Sequence, residues 1–459
     1  MNHCTNSVLK NLFILSFLFT YVVLCGQQPT APPWLEYVHI DESGYSKDSI
    51  DSIVETFENS EGASLMVVHQ GRILLALGDN TRRFMTHSIR KSFLSALYGI
   101  EIDKRNIDQH TTLKTLKIDD INPLTSTEKT ATIQHLLSAR SGVYLPSAYS
   151  PQGMEKNLPQ RGSKVPGEHW YYNNWDFNTL CTIYEQETGQ SIFTAFKKEI
   201  ADPIGMEDFR VTDGHYRVES EKSQHPAYLF NMSARDMARF GLLYLNKGVW
   251  LGNQVVPQDW VEHSTACISS DLGRFGNRGC YGYLWWVSEE IQDHPMFYAS
   301  GSGGHRIFVL PQDDLVIVHR VNTYEGKNVN QQKVMDLIAS IINAKTDTTH
   351  PEPKLKPYEP LRNIPSTTVQ LSDDALHEYL GKYKHPFLGY FEIKKGEEGT
   401  LLASNVGTFN LHATDHNHFF PEDLETMIEM APTPDESKKR SIEPVFGPGR
   451  SLKKVIFYF

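Results

Sequence analysis

Apolar residues along this chain change their spacing from region to region. Between Ser64 and Gly78 (SLMVVHQGRILLALG) two apolar-rich runs flank Gln70-Gly71, the pattern of two strands joined by a tight hairpin. From Ser88 to Ile100 the spacing becomes helical, with Ile89, Phe93, Ala96, Leu97 and Ile100 on or near one face. Mixed helices and loops are predicted up to about residue 265. Within them, Ser233-Ala-Arg-Asp236 resembles a capping box that opens a helix ending near Gly248. Strand patterns return at Tyr283 to Val287, Ile307 to Leu310 and Leu315 to Val321, the last two joined by a tight Pro-Gln-Asp-Asp connection. Val334 to Ile342 then reads as an amphipathic helix.

Strands at both ends of this region, with a mainly helical middle, predict an α+β fold over residues 27–345. It consists of an antiparallel sheet flanked by helices, with an inserted helical lobe. From Thr346 to Pro365 the chain is polar and rich in proline (Pro351, Pro353, Pro357, Pro360, Pro365), so residues 346–366 are expected to be a semi-rigid linker. Short β-type runs separated by turns then predict a small all-β domain over 367–459. At the other end, Lys10, the apolar run Leu12 to Cys25 and the polar stretch GQQPTAPP have the form of a cleaved secretory signal over residues 1–26. The run is short for a membrane span, which needs about twenty residues. Export to a periplasm or the exterior is the expectation, with no transmembrane span in the mature protein and a lipid anchor on Cys25 as the alternative.

Charge and cysteine content narrow the partners. A net charge of −11 argues against nucleic acid, which needs a basic excess. Of the 5 cysteines, Cys4 and Cys25 lie in or beside the signal. Cys267 and Cys280 are placed to pair in an oxidising compartment, and Cys181, in an apolar helical run, reads as core. No spacing suggests a metal ligand set, and His412, Asp415, His416 and His418 read as a solvated turn. No metal and no organic cofactor are expected.

The candidate chemistry starts from Ser-x-x-Lys, which occurs at Ser7, Ser88, Ser126 and Ser451. Only Ser88 stands at the start of a periodic helix. There a separation of three puts Lys91 on the same face, where burial would turn its amine into a proton acceptor. The helix N-terminus also favours negative charge developing on the serine. His87 adjoins this serine and reads as structural. A second constellation, Pro166-Gly-Glu-His-Trp-Tyr-Tyr-Asn-Asn174, carries Tyr-x-Asn in two registers, Tyr171 with Asn173 or Tyr172 with Asn174. A buried tyrosine beside a lysine can pass a proton to a leaving group, and the asparagine can hydrogen-bond substrate.

Together with Thr132-Ile-Gln-His-Leu-Leu-Ser-Ala-Arg-Ser-Gly142 and Met232-Ser-Ala-Arg-Asp236, these residues resemble the serine β-lactamase and penicillin-binding-protein superfamily. The resemblance is to its class C branch, with the related esterases and 6-aminohexanoate-dimer hydrolases, and it spans most of residues 60 to 345. It implies a two-lobed β-lactamase/transpeptidase-like fold, acylation of Ser88, proton handling by Lys91 and the tyrosine, and a substrate contact from the asparagine. Counting from Trp170 as in family members favours Tyr172 and Asn174. The third family element, usually Lys-Thr-Gly or His-x-Gly, is matched best by Gly301-Ser302-Gly303, so its cation is absent. Gly304 and His305 complete the expected substrate-binding stretch, with His305 or Arg306 as candidate replacements for that cation. The second oxyanion donor is expected near Gly304. The functional expectation is a serine hydrolase acting through an acyl-enzyme on a small ester or amide, peptide-like substrates included, rather than an efficient β-lactamase. The alternative is a catalytically silent penicillin-binding-like sensor or binding protein.

Overall fold

The computed structural model describes residues 32–291, 294–346, 348 and 350–361. Beyond these it describes 369–385, 389–396, 400–404, 407–413, 418–421, 427–430, 441–446, 450–451 and 455–456. The expected signal with Cys4 and Cys25, residues 362–366 of the expected linker, and Asp415 and His416 lie outside these residues.

A nine-stranded sheet forms the frame: β1 (Leu35–Tyr37), β2 (Gly62–His69), β3 (Arg72–Gly78), β4 (Cys280–Tyr281), β5 (Trp286–Ile291), β6 (His294–Gly301), β7 (His305–Leu310), β8 (Leu315–Val321) and β9 (Leu355–Pro357). The order is β9-β1-β3-β2-β8-β7-β6-β5-β4, so strands from the two ends of the domain meet where β2 pairs antiparallel with β8. The predicted hairpin joins β2 to β3, and Gln70 and Gly71 adopt φ of 52° and 71° as such a turn requires. All seven residues of β8 are buried, because helices cover both faces. On one face α1 (Lys47–Glu58) lies against the sheet, with the Phe57 ring edge-on to His319 at 6.0 Å. Helix α5 (Gln331–Asn343) packs beside α1.

Between β3 and β4 the chain builds the inserted lobe, including α2 (Arg90–Asp103), α3 (Asn174–Thr188) and α4 (Ala234–Leu245). Ser233 caps α4 by accepting the Asp236 N–H, as the sequence predicts. Helix α4 returns to cover the other face of β7 and β8. Helix α2 departs from its expected single apolar face, being buried on every side from Arg90 to Glu101. Its small polar residues make this possible: Ser92 donates to the Leu284 carbonyl at 2.8 Å and Ser95 to that of Tyr283 at 2.7 Å.

Residues 355–357 correct one boundary. They pair antiparallel with β1, so this part of the proline-rich stretch is an edge strand of the first sheet rather than a free spacer. Beyond it, strands from Gly381 to Ile456 form an antiparallel meander. Their buried side chains, among them Tyr383, Leu402 and Phe409, share a core with Phe84, Met85, Leu229 and Tyr324 of the first unit. Among the described residues no helix is long and apolar enough to cross a membrane.

Candidate active site

Ser88 stands where the chain turns into α2. His87 before it has φ of 49°, a left-handed conformation that residues with a Cβ rarely adopt. Both its ring nitrogens are engaged, Nδ1 with the Tyr149 hydroxyl at 2.8 Å and Nε2 with the Thr323 hydroxyl at 2.9 Å. Burial, then the charges of Arg320, Arg90 and Lys91, hold its imidazole down at about 3 and therefore neutral. A 3-10 turn over His87–Ile89 follows, and α2 continues from it.

Lys91 lies one turn further on and donates to Ser88 Oγ at 2.9 Å. The side chain is buried, with Nζ 4.9 Å from the ring centres of both Tyr172 and Phe177. Burial, with the Arg90 charge adding to it, pushes its amine well below the ordinary lysine range. Tyr172 is also buried. Burial raises its phenol, while hydrogen bonding to Ser88 and the charges of Arg90, Arg278 and Arg306 pull it back.

The structure distinguishes the two Tyr-x-Asn registers. Tyr171 turns away and donates to the Met154 carbonyl at 3.0 Å, and Asn173 caps α3 by accepting the Trp175 N–H at 3.2 Å. Tyr172 and Asn174 are the pair that borders the cleft. The Asn174 amide donates to the Tyr149 carbonyl at 3.2 Å, which leaves its buried Oδ1 without a partner.

The cleft has two lobes, of about 310 and 380 Å³, that meet at Ser88, Met154 and Ser302. Gly301 to Gly304, all expected to contact substrate, border the first lobe. A Cβ at Gly301 would meet the Thr86 carbonyl oxygen at 2.6 Å, so only glycine lets the end of β6 approach the turn that carries Ser88. Gly303 has φ of 87°, and a Cβ there would collide with the Thr323 methyl. A hollow of about 890 Å³ at the far end of α2, against Trp250 and Pro257, contains neither Ser88 nor Lys91.

His305 is a correction. It pairs with Gly301 across the β6–β7 hairpin, whereas Ser300 pairs with Arg306. Opposed residues share a face and successive residues alternate, so Ser300 and Arg306 border the cleft while His305 points into the core. There the His305 ring is fully buried and its Nδ1 accepts from Arg320 Nε at 2.9 Å. Of the two candidate replacements for the missing cation, Arg306 therefore reaches the cleft and His305 does not.

Sequence reasoning missed a second cation, Arg278, which also borders this lobe and donates to Ser300 Oγ at 3.1 Å. It lies over the Trp286 ring at 4.7 Å and the Phe275 ring at 5.5 Å. The Cys267–Cys280 disulfide, the expected pair, closes the loop that carries Phe275 and Arg278. That cysteine bracket was the available signal. Cys181 is buried and free, as expected. Reduction is expected to lower the melting temperature by roughly 3–5 °C, from the chain entropy released by a loop of about this length. Calorimetry with and without a thiol reductant checks this, and an unchanged midpoint would contradict it.

A Ser–Lys pair with its lysine buried, at the head of a central helix beside a nine-stranded sheet, defines the class: the serine β-lactamase and penicillin-binding-protein superfamily. Within it, the family model described as Beta-lactamase matches residues 50–338, and the chain belongs to that family. A protein of Alkalihalophilus pseudofirmus with no described function is 25% identical over 312 residues, 58% of this chain and 86% of that one. Two solved structures share the fold. One, assigned as a 6-aminohexanoate-dimer hydrolase of Bacillus anthracis, is 22% identical with a TM-score of 0.53, covering 69% of this chain and 88% of its own. The other, SurE, is 16% identical with a TM-score of 0.50, covering 91% of this chain and 99% of its own.

Proposed function

We propose that the protein is a serine hydrolase acting through an acyl-enzyme on a small ester or amide, peptide-like amides included. The observation that carries this reading is the buried Lys91 amine 2.9 Å from Ser88 Oγ at the floor of an open cleft. In the first step Lys91, as the free amine, takes the hydroxyl proton while Ser88 Oγ bonds to the substrate carbonyl carbon. The carbonyl oxygen becomes an oxyanion, and the backbone N–H groups of Ser88 and Ser302 are the donors for it. Ser302 is the residue near Gly304 that borders both lobes together with Ser88. The carbon–oxygen or carbon–nitrogen bond to the leaving group then breaks, and that group takes its proton by way of Tyr172. Water cleaves the acyl–Ser88 bond in the second step and the serine regains its proton.

Asn174, with its unpartnered Oδ1, is suited to accept an N–H from the acyl chain. Arg278 and Arg306 make the first lobe tolerant of an anionic substituent. Arg306 stands where the sequence allowed a replacement for the family's third-element cation. A fluorophosphonate is expected to label the wild-type protein and not Ser88→Ala; no label on the wild type, or equal labelling of both, would overturn the reading. A p-nitrophenyl ester is expected to be hydrolysed measurably and a chromogenic cephalosporin poorly, with rapid cephalosporin turnover as the contrary result. Export through the N-terminal segment belongs to the same proposal, and the Cys267–Cys280 disulfide supports an oxidising destination.

A further inference from the structure

Immediately behind Ser88 two buried basic residues, Arg90 and Lys91, occupy consecutive positions of α2. Arg90 is fully buried, and of its guanidinium only Nη1 is engaged, donating to the His87 carbonyl at 3.1 Å. Its Nε and Nη2 have no hydrogen-bond partner. The group rests instead on aromatic faces, 5.0 Å from the Tyr228 ring centre and 5.5 Å from that of Tyr149. Such faces compensate a flat, weakly hydrated guanidinium better than they would a compact ammonium.

Among the described residues the surroundings place no carboxylate in a hydrogen bond or ion pair with either side chain. From their own turn Lys91 and Arg90 meet His87 and Ser88, and from the loop beyond α2 they meet Tyr149. Tyr172 and Phe177 approach from the start of α3, Cys181 from its middle, and Tyr228 from the strand Ala227–Met232. The further charges that reach this group are mostly cations, with Glu185 acting on Cys181 and Glu219 paired with Arg217 at 2.8 Å. Arg217 lies over the Tyr149 ring, Arg278 and Arg306 act on Tyr172, and Arg320 acts on His87. Among the described residues no carboxylate is paired with Arg90 or Lys91. Two unpaired neighbouring charges in a dry interior are strongly disfavoured, and a guanidinium does not give up its proton in proteins. The amine is the group that can yield.

We infer that Arg90 is a positioning residue for the reaction. Its bond to the His87 carbonyl steadies the left-handed turn that presents Ser88, and its fixed charge, added to burial, disfavours a second cation at Lys91. This rests on the reading of Ser88 and Lys91 as nucleophile and base.

The test measures the second-order rate of fluorophosphonate labelling of Ser88 against pH in the wild type, Arg90→Gln and Arg90→Lys, with folding checked by circular dichroism and melting. In the wild type the rate is expected to rise through an acid limb well below the ordinary lysine range. In Arg90→Gln the limb is expected to move up by about one pH unit. Labelling on the rising limb then falls about tenfold, while the high-pH plateau stays within a few-fold. Arg90→Lys exchanges a fixed charge for a removable proton and is expected to move the limb the same way by less; it serves if the glutamine variant does not fold. A limb at the wild-type position in whichever folded variant is measured would overturn the inference. A wild type that labels at no pH would instead overturn the hydrolase reading.

Discussion

Ser88→Ala is expected to reduce ester hydrolysis by about 10⁴-fold or more while leaving the protein folded. The size follows from the role: a nucleophile that forms the acyl-enzyme has no substitute, and the oxyanion donors and binding groups that remain retain only a residual rate. The structural cost is small because Ser88 is only half-buried and faces the cleft. What the substitution removes inside the protein is the hydrogen bonding of Ser88 with Lys91 and Tyr172, each bond worth about 1 kcal/mol. A melting curve close to wild type, with the rate reduced as stated, is the expected pair of results. A variant retaining a tenth of wild-type turnover would place the nucleophile elsewhere.

Lys91→Met is expected to lower the same rate by about 10²- to 10⁴-fold, the range a positioned general base contributes. It is also expected to raise stability at neutral pH, an effect of opposite sign. The Lys91 amine titrates well below its ordinary value of 10.5 in the folded protein, so between the two values the unfolded chain binds the extra proton. Wild-type stability therefore rises with pH from the depressed value up to about 10.5, and at pH 7 the folded state bears the cost of the buried amine. Methionine carries no such cost and fills a similar volume between Tyr172 and Phe177. The variant is expected to melt a few degrees above wild type at pH 7. That advantage should shrink as pH approaches 10. A gap that did not change with pH would show that Lys91 is not held as the free amine.

Much of this site was legible because its spacing is local. Ser88 and Lys91 are three residues apart at a helix start, and the Tyr-x-Asn stretch sits between a Pro-Gly turn and a helix, so one-dimensional spacing carried their geometry. Strand alternation decided the third element, and there sequence reasoning went astray. Had β6 been recognised up to Gly301, its pairing with His305 would have put that histidine on the buried face. Strand β6 escaped notice because its central residues from Met296 to Ala299 are all buried, which erases the apolar–polar rhythm, and Pro295 stands near its start. Arg278 was invisible for another reason: its proximity to Ser300 depends on a disulfide-closed loop folding back, which no local periodicity records. The pairing of β9 with β1 uses backbone groups at a sheet edge and leaves no side-chain signature.

The most direct measurement is acid quenching of the wild-type protein during turnover of a p-nitrophenyl ester, followed by intact mass and peptide mapping. The expected result is a mass increase of one acyl group, carried by the peptide containing Ser88 and absent from Ser88→Ala. An acyl group on any other residue, or steady hydrolysis that persists unchanged in Ser88→Ala, would contradict it.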